Sequence, residues 1–157
     1  MKVLHEKGGK AYIAIAIDAA GDFVSPFADT LFPCMIWDHD GRFTEDQRAE
    51  VARQLLQAGC RYAVCGGQSC DAWHGAFDEE FVQQRMNDPD AALDDVHVMT
   101  TSHAGESPDD VAFFFVLNTN FGDHDFDRYL VLHVGDGQAM EAVDAAVRRY
   151  ALGEDAA

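Results

Sequence analysis

The sequence predicts an α/β fold, a three-layer α/β/α sandwich built on a mainly parallel sheet of about five strands, with residues 1–157 forming one domain. Three observations carry that expectation. Short apolar runs rich in β-branched residues recur along the chain, as expected of strands buried on both faces. Amphipathic stretches with helix start and stop signals fall between them. Their alternation calls for right-handed crossovers that place helices on both sides of the sheet. With 157 residues, 48% hydrophobic and 25% charged, the chain is long enough to bury about two-thirds of its unfolded surface around one core.

Taken in order, residues 1–10 are polar and glycine-containing and are expected to be loose. Tyr12 to Ile17 (YIAIAI) reads as a buried strand ending at Asp18. The following segment mixes Gly, Pro and aromatics and is mostly connection, with Ser25-Pro26 placed to start a short helix over Phe27 to Leu31. Cys34 to Trp37 is a second strand, stopped by the turn Asp38-His39-Asp40-Gly41. Thr44 and Gln47 form a capping box, Val51, Leu55 and Leu56 an apolar stripe, and Gly59 a C′ residue, so the spacing predicts a helix from Thr44 to Ala58. Arg61 to Cys65 is the next strand, followed by a turn at Gly66-Gly67. Trp73, Phe77 and Phe81 recur every four residues, predicting a helix from Ser69 to about Met86 that stops before Asn87-Asp88-Pro89.

A polar loop through Asp95 leads to a strand at Val96 to Thr101, which delivers His103 at its end. Ser107, Pro108, Asp109 and Asp110 supply a cap, an N1 proline and dipole-matched acids, and so decide for a helix over the apolar run VAFFFVL. After an acidic loop, Tyr129 to Val134 is a strand, and Met140, Val143 and Val147 mark a last helix ending near Gly153.

Charge narrows the function classes. The 28 Asp and Glu against 11 Lys and Arg leave a net charge of −17, with Arg148-Arg149 the only basic doublet. A phosphate backbone is repelled by such a surface, so no nucleic-acid partner is expected. No apolar run approaches the roughly 20 residues of a membrane span, and MKVLHEKGGK lacks the apolar region of a secretory signal, so no membrane partner and a cytoplasmic location are expected. Cys34, Cys60, Cys65 and Cys70 are then expected to be reduced thiols, the first three acting as small buried hydrophobes.

Cys70 stands apart because RYAVCGGQSCDAWH reads as strand, tight turn and helix start. Unpaired N–H groups and the positive end of a helix dipole gather at such a junction, where they hold anions or stabilise a thiolate. Gly66, Gly67 and Ser69 are candidate ligand-binding residues there, joined by Asp18 and Asp38 at the ends of two other strands. Cys70 is a candidate nucleophile, His103 its proton acceptor, and Glu106 a group placed to orient the imidazole. In a parallel sheet all of these, with His39, Asp40, Gly135 and Asp136, emerge at the strand carboxyl ends, where ligands gather.

Other chemistry is weakly signalled. Cys65, Cys70 and His74 have metal-like types but not a zinc spacing, and Asp18 with Asp38, His39 and Asp40 could offer oxygens to a divalent cation, though an acidic turn in a protein this acidic is more often just a turn. His133, inside YLVLHV, reads as a hydrogen-bonded core histidine. The glycine turn lacks the P-loop Lys and the full dinucleotide fingerprint. No metal and no cofactor is expected.

The segments AGCRYAVCGGQSCDAWHGAFDE and VHVMTTSHAGESPDDVAFFF resemble a family of small uncharacterised bacterial α/β domains with Gly-Cys-x-Tyr, Cys-x-x-Trp and Met-Thr-Thr-x-His-x-x-Glu motifs. Those motifs fall on Gly59, Cys60 and Tyr62, on Cys70 and Trp73, and on Met99, Thr100, Thr101, His103 and Glu106, while His74 and Ser102 depart from the family's usual acid and aromatic. The resemblance implies a shared fold and no activity. AIAIDAAGDF with a later strand-turn-Cys is similar to cysteine hydrolases of the isochorismatase type, which use an Asp, a Lys and a Cys. Here Lys2, Lys7 and Lys10 all precede the predicted strands, so Asp18 and Cys70 do not restore that mechanism.

Three functions follow as expectations. The leading one is a binding or regulatory module, its partner an unidentified small molecule or protein, with a ligand crevice at the strand carboxyl ends. The alternatives are a cysteine-dependent hydrolase or transferase using Cys70 and His103, and an acidic mimic or partner-sequestering protein.

Overall fold

The computed structural model describes residues 1–87, 98–119 and 125–156. Among them the chain runs β1 (Lys2–Lys7), β2 (Lys10–Ile17), a 3-10 turn (Ala20–Asp22), β3 (Phe32–Asp38), α1 (Glu45–Ala58), β4 (Cys60–Gly67), α2 (Cys70–Asn87), β5 (Met99–Ser102), α3 (Pro108–Leu117), β6 (Arg128–Val134) and α4 (Met140–Ala156). The strands form one sheet in the order β1-β2-β6-β3-β4-β5, with β1 antiparallel to β2 and every other pair parallel. The expected α/β architecture is present, with six strands rather than five.

The extra strand corrects the expectation that residues 1–10 are loose. Gly8 and Gly9 adopt φ of 64° and 85°, the left-handed pair of a two-residue hairpin, and Lys7 pairs with Lys10 across it. Leu4 is the buried anchor of β1, whose other residues are polar apart from the exposed Val3, so the strand gives little apolar signal.

Successive side chains of a strand point to opposite faces, and the core divides accordingly. Leu130, Leu132 and Val134 of β6 join Val51 and Leu55 of α1 and Trp73 and Phe77 of α2 in one buried cluster. Tyr129 and Val131 join Val111 and Phe115 of α3 and Val143 and Val147 of α4 in the other. The helix signals read from the sequence are realised. Thr44 and Gln47 close the capping box reciprocally, at 3.2 and 2.7 Å, Gly59 takes φ 115°, and Ser107 Oγ accepts from the Asp110 amide at 3.2 Å.

Two local expectations are corrected. Phe27 to Leu31 is not helical, and the helical turn falls at Ala20–Asp22 instead. Ser25 Oγ engages both the amide and the carbonyl of Phe27, at 3.2 and 3.1 Å, so the serine closes a local turn rather than opening a helix. Gly66 and Gly67 remain paired with β3, and the turn comes at Gln68-Ser69, with Ser69 at φ 55°. The start of the strand expected at Val96, the Pro89 stop, the loop through Asp95 and part of the acidic loop before β6 lie outside the described residues.

This topology selects one place on the sheet. From β3 the chain moves through α1 and α2 along one face to β5, then returns through α3 along the opposite face to β6, which lies beside β3. The chain leaves β3 toward one face and β6 toward the other. The carboxyl ends of β3 and β6 therefore bound the topological switch point, where an open parallel sheet leaves a crevice for ligands.

Candidate functional site at the ends of strands β3 and β6

His39 follows β3, and Gly135, Asp136 and Gly137 follow β6. A bond from the His39 amide to the Val134 carbonyl, at 2.9 Å, ties the two exits together. The Asp40 carboxylate closes the loop pair by accepting from the Asp136 amide at 3.3 Å and from Arg42 Nε at 3.0 Å. Its pKa is lowered: burial opposes this, and the bonds from Asp136 and Arg42 prevail. Gly135, at φ 77°, is required here because a Cβ would stand 2.3 Å from Asp40 Oδ2. A Cβ on Gly137 would stand 2.9 Å from the His39 ring.

Three side chains from three elements form a line at this point. His39 Nε2 lies 2.8 Å from His133 Nδ1, and His133 Nε2 lies 2.8 Å from Asp144 Oδ1 on α4. Lys2 of β1 adds its ammonium at 3.4 Å from Asp144 Oδ2. His133 and Asp144 are 2% and 3% exposed, whereas His39 is only partly buried, so the line runs from the core to the surface. Burial and the neighbouring His133 push the His39 pKa below its usual value, against the opposite pull of Asp38, Asp40 and Asp136. Burial works to raise Asp144, yet the bonds from His133 and Lys2 hold it below the usual carboxylate range.

The residues predicted from sequence are distributed around this point. Asp38 is buried and structural in its contacts: Oδ2 accepts from the Trp73 indole at 2.9 Å, and Oδ1 from the Gly41 and Asp40 amides at 2.8 and 3.3 Å. Asp18 is exposed at the end of β2, next to the bond by which the Gly135 amide reaches the Ile17 carbonyl. Gly66 and Gly67 allow close approach, since Cβ atoms there would meet the Trp37 ring at 2.9 Å and the Asp38 carbonyl at 2.4 Å. Ser69 precedes α2, and its carbonyl accepts from the Trp73 amide at 3.0 Å.

Cys70 is 5% exposed and belongs to the buried cluster that contains Trp73. His103 is 7% exposed, with Thr101 Oγ1 and Glu106 Oε2 each 2.9 Å from one of its ring nitrogens and Phe114 against its face. The expected His103 to Glu106 contact is thus formed. Both nitrogens of the imidazole are occupied, however, and among the described residues no hydrogen bond joins it to Cys70. Burial also raises the thiol pKa of Cys34, Cys60 and Cys65, with Cys60 pushed up to about 12. Among the described residues no group of three His, Cys, Asp or Glu side chains is arranged to hold a metal ion. No helix among them is long and apolar enough to cross a membrane.

A family profile described as a domain of unknown function, DUF7684, matches residues 12–150. The chain belongs to that family. The match runs from the start of β2 into α4, so His39, Cys70, His103, His133 and Asp144 all fall within the family's domain, while Lys2 and the rest of β1 fall outside it. No curated protein and no solved structure shows significant similarity to the chain.

From the sequence, His39 stands out only as part of an acidic turn, His133 reads as a core residue, and Asp144 belongs to no site motif. Two signals were available. His133 is a buried imidazole among the mostly apolar residues of its strand, and Asp144 interrupts the apolar stripe of Val143 and Val147. Two polar residues on facing apolar surfaces are stable only if they meet.

Proposed function

We propose that this protein is a binding module for a small molecule, seated over the carboxyl ends of β3 and β6 between His39 and the Gly135 to Gly137 loop. The observation that carries the reading is the hydrogen-bonded line from Asp144 through His133 to His39, which surfaces at the switch point of the sheet. Burying an imidazole and a carboxylate to orient one partly exposed imidazole costs stability, and such polar groups cluster where a ligand is met. A depression between α1 and α2, lined by Glu45, Arg48, Ala49, Ala72, Gly75 and Glu79, is the competing location. Its charged groups belong to exposed helix faces, and Arg48 is engaged by the Phe43 carbonyl at 2.6 Å, so it has no comparable buried support.

The test is a ligand-observed NMR screen of small neutral and cationic fragments against the native chain and Gly137→Val. The variant places a side chain against His39. Hits should be lost or weakened at least about tenfold in the variant, as expected when a side chain occupies part of a ligand's volume. Hits of equal affinity for both proteins would refute the location.

A second reading, a cysteine-dependent hydrolase or transferase using Cys70, draws support from the His103 to Glu106 contact at 2.9 Å, the arrangement that would orient a proton acceptor. It requires Cys70 to leave its buried position and His103 to exchange a partner. Iodoacetamide labelling at neutral pH, mapped by mass spectrometry, decides it. Faster labelling of Cys70 than of Cys34, Cys60 and Cys65, slowed by His103→Ala, would favour the enzyme, and uniformly slow labelling would remove it.

A further inference from the structure

We infer that His39 is a general base, its Nδ1 accepting a proton from a neutral or cationic substrate, with His133 and Asp144 as positioning residues behind it. This inference rests on the ligand seat proposed above and adds a reaction to it.

Hydrogen-bond logic assigns the protons. The ionised Asp144 carboxylate can only accept, so His133 Nε2 carries the hydrogen of the 2.8 Å bond between them. In a neutral imidazole the other nitrogen is then a bare acceptor, so His133 Nδ1 accepts and His39 Nε2 donates across the next 2.8 Å bond. The remaining lone pair lies on His39 Nδ1. Among the described residues that nitrogen has no hydrogen-bond partner, and the residue opposite it is Gly137, which puts no side chain over that side of the ring. A single buried His–Asp contact could be purely structural. The second imidazole carries the same polarity outward to an atom without a hydrogen bond among the described residues.

Proton transfer through this arrangement balances simply. A substrate X–H bond breaks, its electron pair stays on X, and the proton bonds to His39 Nδ1. The imidazolium strengthens its Nε2–H bond to His133, and the anionic Asp144 stabilises the new charge through that ring, as the carboxylate does in a hydrolase triad. The proton then returns to the product or passes to solvent.

The groups facing His39 limit the substrate's charge. Asp38 and Asp40 from the β3 exit and Asp136 from the β6 exit act on it electrostatically, with His133 beneath. Arg42, the cation of this loop pair, is held by Asp40 at 3.0 Å. Among the described residues, the cation closest to hand is already paired with Asp40, so an anionic substrate would meet these carboxylates unfavourably, whereas a neutral or cationic acid would not.

Two measurements on the full chain test the inference. The first is the tautomeric state from imidazole nitrogen shifts at neutral pH. His39 should show a bare Nδ1 and a protonated Nε2, and the opposite tautomer would overturn the inference whatever any variant does. The second is the ring-opening of a nitrobenzisoxazole, a neutral carbon acid. The base removes the ring C–H proton, the electron pair forms the nitrile, and the N–O bond breaks to give a coloured phenolate. The rate should exceed that of free imidazole by about 100-fold, within the range of a positioned base, and should rise with pH through a midpoint below 6.5. His39→Ala should fall to the imidazole background. Asp144→Asn should slow the reaction about tenfold and move the midpoint to lower pH, a shift that loss of packing alone would not give. Amide shifts at residues 38–41 and 135–139 on adding the nitrobenzisoxazole, with no rate above background, would overturn the base and leave the ligand seat standing. Neither shifts nor rate would count against both.

Discussion

The indole N–H of Trp73 on α2 donates to the carboxylate of Asp38 at the end of β3, across 2.9 Å and away from water. That bond joins the first turn of a helix to the strand that presents His39. Trp73→Phe keeps most of the ring volume but leaves a buried carboxylate oxygen without its donor. It should destabilise the protein by about 1–3 kcal/mol, read from the urea midpoint. An unchanged midpoint would show that another donor replaces the indole.

Phe77 sits one helical turn further along α2, fully buried in the cluster between α1, α2 and the sheet. Phe77→Ala should cost about 3–5 kcal/mol in equilibrium unfolding.

Gly67 adopts φ 76° with the Asp38 carbonyl 2.4 Å from where a Cβ would lie. Gly67→Ala must both strain the backbone and push β3 and β4 apart, so a loss of at least about 1–3 kcal/mol is expected. The amide spectrum should change at Asp38, His39 and Gln68, whose backbone bonds surround the contact.

Two protonation shifts both make stability fall as pH drops, each in its own window. The Asp144 pKa is depressed in the folded state, so its stabilisation is present above the unfolded pKa of about 3.9 and is lost as pH falls through the lower folded value. Asp144→Asn should therefore flatten the acid limb of a plot of stability against pH. The His39 pKa also lies lower in the folded state than its ordinary 6.5, so between the two values the unfolded chain binds the extra proton. Stability should fall as pH drops through the window just below 6.5. His39→Gln should remove that dependence, and its persistence would assign the titration elsewhere.

The secondary structure was legible wherever the signal was local. The Thr44 and Gln47 box, the Gly59 cap and the Ser107-Pro108 start each lie within a few residues of the geometry they specify, and each helix formed where they placed it. β1 carries little apolar signal because only Leu4 is buried and its apolar neighbour Val3 is exposed, although Gly8-Gly9 is a hairpin signal in its own right. Ser25-Pro26 suits a helix start in both residues, but the serine hydroxyl closes its own turn. The switch-point histidines were not legible as a unit. His39 and His133 lie 94 residues apart, and only the placement of β6 beside β3 brings them together. Strand order is set by nonlocal packing, which periodicity along the chain does not encode.

A crystal structure of the chain with its tightest-binding neutral or cationic fragment tests directly where a ligand sits. The fragment should lie over the carboxyl ends of β3 and β6, with a donor atom within hydrogen-bond distance of His39 Nδ1 and its body against Gly135 and Gly137. A fragment bound between α1 and α2, beside Arg48 and Glu79, with the His39 ring still open to solvent, would contradict it.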